Sequence, residues 1–552
     1  MKRIYSMFSW KQSSVRSAAT ILMVMVLASR VLGLVRDRLL AARFDPEMLG
    51  IYFAAFRMPN LIFELLVMGT LTAAFIPVFT KYTTEGKDEE AFHMSSSLIH
   101  ICIIAFFILS LPLLFFTDTI SRFIAPGFSD AQITEMSMYT RFMVVFQVFP
   151  LLVGNFFTGI LQSYSLFFAP AMAPVIYNIG IIIGVIFLTP AMGLWAPVVG
   201  VGIGALLFVL IQVPSLFAVG YKHKFILDLH HQGVREVGKL MGPRTLGLAV
   251  SQIDTTIDLI LSTLLGARMV TIFQFAQHLQ QLPIGLFGAT VAQAAFPMLA
   301  QSSAKHDEEQ FKKTLISAFN QILFFVLPLS VFFIVLRIPI VRLVFGASRF
   351  DWEATVLTGM TLSWFSISLF AQSLSQLLTR AFFALFDTKT PVIVGVISIA
   401  INTMLSIYFV SYTHFPVWGL GLSASIASIV NIFLLYIFLI KKYPKYAIHH
   451  IGWSPVKMIV ASLLMGAALY VPLKLFDQLI FDTTRIVGLL LLTGVSGCIG
   501  FSCYFFFVWV FGVSEARSFL SLLDKVRKPR QVVLEPAKEV VDNGGQNTST
   551  GV

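Results

Sequence analysis

Seven ionisable side chains stand where an apolar chain would be expected to have none. Arg30, Arg36 and Asp37 lie in "SRVLGLVRDR", Arg57 in the next apolar run, and Asp254, Asp258 and His278 in two later ones. A charge near mid-bilayer costs a few kcal/mol or more, so such groups face a water-filled cavity or one another. Guanidinium forks match phosphate oxygens. Arg30, Arg36 and Arg57 together therefore predict a cationic cavity for an anionic substrate. The rival reading makes Arg30–Asp37 and Arg57–Glu64, each seven residues apart, into pairs that hold the helices together. Arg38 can simply snorkel to the interface.

The spacing adds direction. At about 100° per residue, Ser29 and Arg36 share one helical stripe and Arg30 and Asp37 another. The two stripes form a wide polar sector turned away from lipid, with Gly33 between them. Arg30 falls roughly 18 Å into the first run, Arg36 roughly 27 Å in, and Arg57 roughly 12 Å below the far surface. Asp254 and Asp258, four residues apart, share a helix face and need a cation: Na⁺, H⁺ or an arginine. Oxygens suit hard cations, and Thr255 and Gln252 can add more. Ion coupling and plain pairing both remain open. His278 is either a titratable cavity residue or a neutral hydrogen-bonded one.

Nothing else in the chain proposes catalysis. There is no phosphate-cradling loop, nucleophile elbow or zinc motif, so no resident cofactor or metal is expected. His223, His230 and His231 share a loop with Asp228, in a segment that reads as an interfacial cytoplasmic link. Gly200, Gly202 and Gly204 suit close helix packing. Cys102, Cys498 and Cys503 all lie in apolar runs, without a disulfide or metal pattern.

The elements that must position these residues are membrane helices. Of 552 residues, 57% are hydrophobic and 12% charged, against near 25% charged in soluble domains. Fourteen apolar runs of about 20 residues or more fall near 18–40, 49–80, 93–117, 136–163, 170–190, 195–220, 241–265, 270–300, 312–336, 354–383, 390–412, 417–440, 456–476 and 485–512. Between them no hydrophilic stretch is long enough for a soluble catalytic domain. The net charge of +11 reflects loop lysines and arginines rather than a nucleic-acid partner. With the N-terminus inside, cytoplasmic segments hold 26 Lys and Arg and the opposite side eight. Both termini are therefore expected in the cytoplasm. The polar tail from about 529 is expected to be disordered.

A duplication organises the chain. "SRVLGLVRDRLLAARF" lies over "SQIDTTIDLILSTLLG" at an offset of 222, "AAF" at 73–75 over 294–296, and "APVIYN" over "TPVIVG" at 217. Six runs separate the copies, so both have the same orientation, which predicts a parallel repeat. The expected fold is all-α and polytopic. It has an N-lobe (1–220, helices 1–6), a linker (221–240), a C-lobe (241–442, helices 7–12), two extra helices (443–512) and a tail (513–552). In this register Asp258 corresponds to Arg36, and His278 to Arg57.

The stretches "SRVLGLVRD", "FRMPNLIFELLVMGTLTAAFIPVFTKY", "MGPRTLGLAVSQID", "LPIGLFGATVAQAAFP" and "RAFFALFDTKTPV" resemble the MurJ (MviN) family over residues 15 to 512. These are lipid II flippases of the multidrug/oligosaccharidyl-lipid/polysaccharide exporter superfamily. The resemblance implies a monomeric flippase in the bacterial inner membrane. It would move undecaprenyl-diphosphate-linked peptidoglycan precursor between leaflets by alternating access. Ser29, Arg30, Arg36, Asp37, Arg57 and His278 would then face the diphosphate in a central cavity, and Asp254 and Asp258 a coupling Na⁺ or H⁺. The sequence departs from the family pattern at Phe63, Glu64, Met68 and His278, where charged or basic residues of other kinds are usual. The rivals are an exporter of another lipid-linked polysaccharide, a multidrug exporter and a membrane glycosyltransferase. A drug exporter of cations suits three arginines poorly. A transferase would need acids on a larger outer loop than 118–135.

Overall fold

A computed structural model describes residues 15–68, 74–448, 452–477 and 485–516, all helical or connecting, with no strand among them. The tail expectation beyond 516 lies outside these residues.

Eleven described helices are long and apolar enough to cross a membrane. They are α2 (Pro46–Val67), α3 (Asp88–Phe115), α4 (Asp130–Ser163), α5 (Phe168–Met192), α6 (Trp195–Ala218), α8 (Ala267–Ala304), α9 (Glu308–Val335), α11 (Lys389–Tyr412), α12 (Trp418–Lys442), α13 (Ser454–Phe476) and α14 (Ile486–Val510). A broken twelfth, α10, joins Trp352–Ile367 to Leu369–Ala384 with a 44° bend. The two remaining long helices carry Arg30, Arg36 and Asp37, and Asp254 and Asp258: α1 (Val15–Arg43) and α7 (Gln232–Leu264).

The duplication is visible in how the helices pack. In the first half, α1 lies on α5, α5 on α6, and α2 on α4; in the second, α7 lies on α11, α11 on α12, and α8 on α10. Backbone irregularities recur at matching places too. Wide π-type turns occupy Glu64–Met68 at the end of α2 and Ile284–Ala289 in α8. Others occupy Gly184–Leu188 in α5 and Tyr408–Tyr412 in α11. The widened turn at Val144–Val148 in α4 has its counterpart in the α10 bend, and Pro112 in α3 in Pro328 of α9. Single π turns insert an extra residue and often mark functional segments. Their repetition shows both lobes bending the same helices in the same way. α13 and α14 stand outside the repeat, packed on each other, with α13 against α9.

Within the N-lobe, α5 and α6 touch backbone to backbone. A Cβ on Gly180 would fall 2.3 Å from the Gly204 Cα, and one on Gly204 would fall 2.4 Å from the Tyr177 carbonyl oxygen. Only residues without side chains permit that approach, which matches the packing role read from the glycine series.

The lobes meet mainly through α2 and α8. At the end where α1 passes into α2 they are sealed by main chain. A Cβ on Gly50 would fall 1.8 Å from the Ala267 carbonyl oxygen, and one on Gly127 would fall 2.0 Å from that of Thr263. The Thr271 hydroxyl donates to the Pro46 carbonyl at 2.6 Å. Arg349 pairs with Asp45 at 3.3 Å.

Candidate functional site

The first helix of each lobe carries one set of ionisable residues, which the fifth helix contacts. In the N-lobe, the Arg36 Nε and Nη2 donate to Asp37 Oδ1 at 3.0 and 2.8 Å, and Nη1 donates to the Asn178 side-chain oxygen at 3.1 Å. The Asn178 amide donates in turn to the Ser29 hydroxyl at 3.3 Å and to the Pro174 carbonyl. Ser29, Arg36 and Asp37 are thus gathered against α5. In the C-lobe, the Asn402 amide of α11 donates to one oxygen each of Asp254 and Asp258, at 3.0 and 3.1 Å. An asparagine on the fifth helix of each lobe thus holds a cation-bearing motif in one half and an acidic one in the other, although in the repeat register Asn178 falls on Gly395, two turns before Asn402.

Two contacts tie the halves across the interface. Asp37, 1% exposed, places its second oxygen 2.8 Å from His278 Nδ1 of α8. Phe53 stands edge-on to that imidazole, 6.2 Å away. One turn further along α2, Arg57 is 7% exposed. Its Nη2 donates to the Gln252 main-chain and side-chain oxygens of α7 at 2.7 and 2.8 Å, and its Nε to Thr256 Oγ1 at 2.9 Å. The Gln252 amide also donates to Glu64. A buried guanidinium needs its donors satisfied, and here the opposite lobe supplies every acceptor seen.

The sequence-derived pairings are corrected at three points. Asp37 pairs with Arg36 and His278, not with Arg30 seven residues back. Glu64 reaches Arg57 through Gln252 instead of by direct contact. Gln252 is turned toward Arg57, so it adds no oxygen to the aspartates. For the first two, an adjacent residue or a side chain on a neighbouring helix lies closer than one two turns away on the same helix; Gln252 is drawn instead to the buried guanidinium facing it.

The three arginines are also divided. Arg30 is exposed and lines an apolar groove of about 840 Å³ among α1, α8, α9 and α14, near Leu286, Phe325 and Phe505. A Cβ on Gly285 would sit 3.7 Å from its Nη2. Arg38, expected to snorkel, instead donates to the Leu343 carbonyl.

Asp254 and Asp258 open on a cavity of about 340 Å³ lined with amides, including Gln277, Gln280, Gln372 and Asn431, and with no lysine or arginine. One amide shared by two carboxylates leaves most of their lone pairs free. An all-oxygen donor set with no protein cation fits Na⁺ or a proton. Asn178 and Asn402 escaped the sequence reading. The duplicated "APVIYN" and "TPVIVG" point at their helices, but not at the asparagines as partners.

Comparison with known proteins bears on the family and the fold. The family model described as lipid II flippase MurJ matches residues 41–490. A Buchnera aphidicola protein named "Probable lipid II flippase MurJ" is 29% identical over 422 residues, covering 75% of this chain and 81% of that one. A Bdellovibrio bacteriovorus protein of the same name is 26% identical over 499 residues, covering 89% and 93%. The solved structure "Lipid II flippase MurJ, inward closed conformation" superposes with a TM-score of 0.74 at 26% identity, over 89% of this chain and 98% of that chain. An inward-facing multidrug MATE family transporter of the MOP superfamily gives a TM-score of 0.62 at 15% identity, over 76% and 98%, a likeness of fold alone.

Proposed function

This chain belongs to the MurJ lipid II flippase family, and on that premise we propose how a multi-pass membrane transporter with these residues carries lipid II. The substrate is a disaccharide-pentapeptide on undecaprenyl diphosphate. It enters between the lobes from the cytoplasmic leaflet and leaves toward the outer one. The loop bias in Lys and Arg supports a bacterial inner-membrane topology with both termini on the cytoplasmic side. The end sealed by Gly50 and Ala267 is then the outer end, and alternating access requires that seal to open.

One observation carries the reading: the guanidinium of Arg57 and the carboxylate that holds Arg36 are both satisfied from the opposite lobe. When the lobes part, Arg57 loses Gln252 and Thr256, and Asp37 loses His278. Arg57 then faces the opening with unmet donors while Arg36 stays held by Asp37 and Asn178, and a diphosphate supplies oxygens to Arg57 beside the Arg36 cation. A ligand shifts a conformational equilibrium only through contacts that differ between states, and here substrate oxygens replace interlobe ones. Arg30, at the rim of the apolar groove, meets the diphosphate where the polyprenyl chain remains among Leu286, Phe325 and Phe505. Asp254 and Asp258, bridged by Asn402, take up Na⁺ or H⁺ and reset the cycle. A single chain supplies both lobes, so a monomer suffices.

The test uses a strain that depends on this protein. Arg36→Ala or Arg57→Ala is expected to stop growth and leave lipid II on the cytoplasmic leaflet while folded protein remains in the membrane. Normal growth on either variant contradicts the proposal.

A further inference from the structure

The linker between the lobes does not hang free in solvent. It leaves α6 and runs back along the first turns of α3. The Ser95 hydroxyl donates to the Tyr221 hydroxyl at 3.4 Å. The main-chain N–H of Lys224 donates to the Ser96 hydroxyl at 3.1 Å. The His100 imidazole donates to the Ile226 carbonyl at 3.0 Å. The chain then returns: the Asp228 N–H donates to the Ser97 hydroxyl at 3.3 Å, and the His231 ring lies 5.2 Å from that of His93. In order along the linker, the α3 partners are residues 95, 96, 100, 97 and 93. That order describes a finger whose tip lies at the level of His100.

That level is informative. The other end of α3 is marked by Phe115 and Phe116, 77% and 63% exposed. A hydrocarbon core of about 30 Å takes about 20 helical residues, so a span ending at Phe116 begins near residue 97. Ser97 and His100 would then face lipid with unmet polar groups, a costly arrangement. The finger covers them, and they in turn satisfy its extended backbone. Three of its exposed side chains are apolar, Phe225 at 94%, Leu227 at 50% and Leu229 at 56%, and His223 and His230 are exposed nearer its base. Lys222 and Lys224, both exposed, flank the tip.

We propose that residues 222–230 form a re-entrant finger seated in the leaflet where α3 begins, with Phe225, Leu227 and Leu229 below the phosphates and Lys222 and Lys224 on anionic headgroups. The occupant of this surface is lipid, because the face continues the apolar belt of α3 at its own depth and carries positive charge at the phosphate level. The linker is thereby fixed to the N-lobe and the membrane, and motion of the C-lobe begins at α7.

The test places a nitroxide at Phe225→Cys or Leu229→Cys in full-length protein lacking Cys102, Cys498 and Cys503. The protein is reconstituted in vesicles of phosphatidylcholine alone or mixed with phosphatidylglycerol. Glu85→Cys, in an exposed turn preceding α3, serves as the aqueous reference. Collisions with oxygen are expected to dominate over those with a nickel chelate at 225 and 229, and the reverse at 85. Replacing Lys222 and Lys224 with Gln should lower the oxygen-to-nickel ratio at 229 in phosphatidylglycerol vesicles only. Nickel access at 225 and 229 equal to that at 85 overturns the proposal. So does protection from both reagents, which would mean that protein covers the finger.

Discussion

Gly50 offers the sharpest test of the closed interface. A Cβ placed there would lie 1.8 Å from the Ala267 carbonyl oxygen, whereas an ordinary carbon–oxygen contact is about 3.3 Å. Gly50→Ala therefore forces α2 and α8 apart by about 1.5 Å. Both partners are helical main chain, and a close-packed interface has little slack. The same displacement stretches the Thr271–Pro46 hydrogen bond, now 2.6 Å, and the His278–Asp37 contact, now 2.8 Å, to about 4 Å, beyond hydrogen-bonding distance. One neutral and one charge-assisted bond together are worth about 2–4 kcal/mol. At 1.4 kcal/mol per decade, the closed state should lose about 30- to 700-fold in population. Helix propensity works the other way, since Ala in place of Gly favours α2 by about 1 kcal/mol. A loss of transport therefore does not come from a weaker helix. The assay is modification of Val270→Cys, a fully buried position, by a membrane-impermeant maleimide added from outside. The background lacks the three native cysteines. Labelling should be slow with Gly50 and faster by that factor with Gly50→Ala, and flipping should fall. Unchanged labelling together with unchanged flipping would refute the reasoning.

Three further outcomes are expected. Gln252→Ala removes one acceptor from Arg57 but leaves the guanidinium in place, so it should loosen the lobes by about 1.5–3 kcal/mol while retaining substrate binding; Arg57→Ala should lose both, as resolved by interlobe spin-label distances and lipid II retention. Asp258→Asn should abolish whatever Na⁺ or pH dependence flipping shows in liposomes, while the thermal midpoint stays within a few degrees. Asp387, in the turn before α11, is pushed up by burial but pulled down more strongly by the Lys442 ammonium at 2.6 Å and by the Thr390 hydroxyl and N–H, to a pKa of about 2. Because the folded value lies below the ordinary 3.8, its contribution is present above pH 4 and lost as pH falls through 2. Asp387→Asn should therefore lower the thermal midpoint at neutral pH, with the difference vanishing toward pH 2.

Much of this was legible in the residues alone. Membrane helices follow from run length and hydropathy, because lipid leaves the backbone few other options. The duplication follows from residue offsets, and the unusual chemistry from the rarity of Arg30, Arg36, Arg57, Asp254 and Asp258 in apolar runs. Partner choice was not legible. Periodicity along one helix suggested Arg30–Asp37 and Arg57–Glu64. The fold instead delivered His278 and Gln252 from the other lobe, and Asn178 and Asn402 from the fifth helix of each. Sequence fixes which side chains share a stripe, since that depends only on helix geometry. What faces the stripe depends on how helices far apart in the chain come to lie together. Only the tertiary structure decided that the charges of α1 and α2 fasten the lobes to each other, because distances of about 3 Å across an interface are set by packing and not by spacing along the chain.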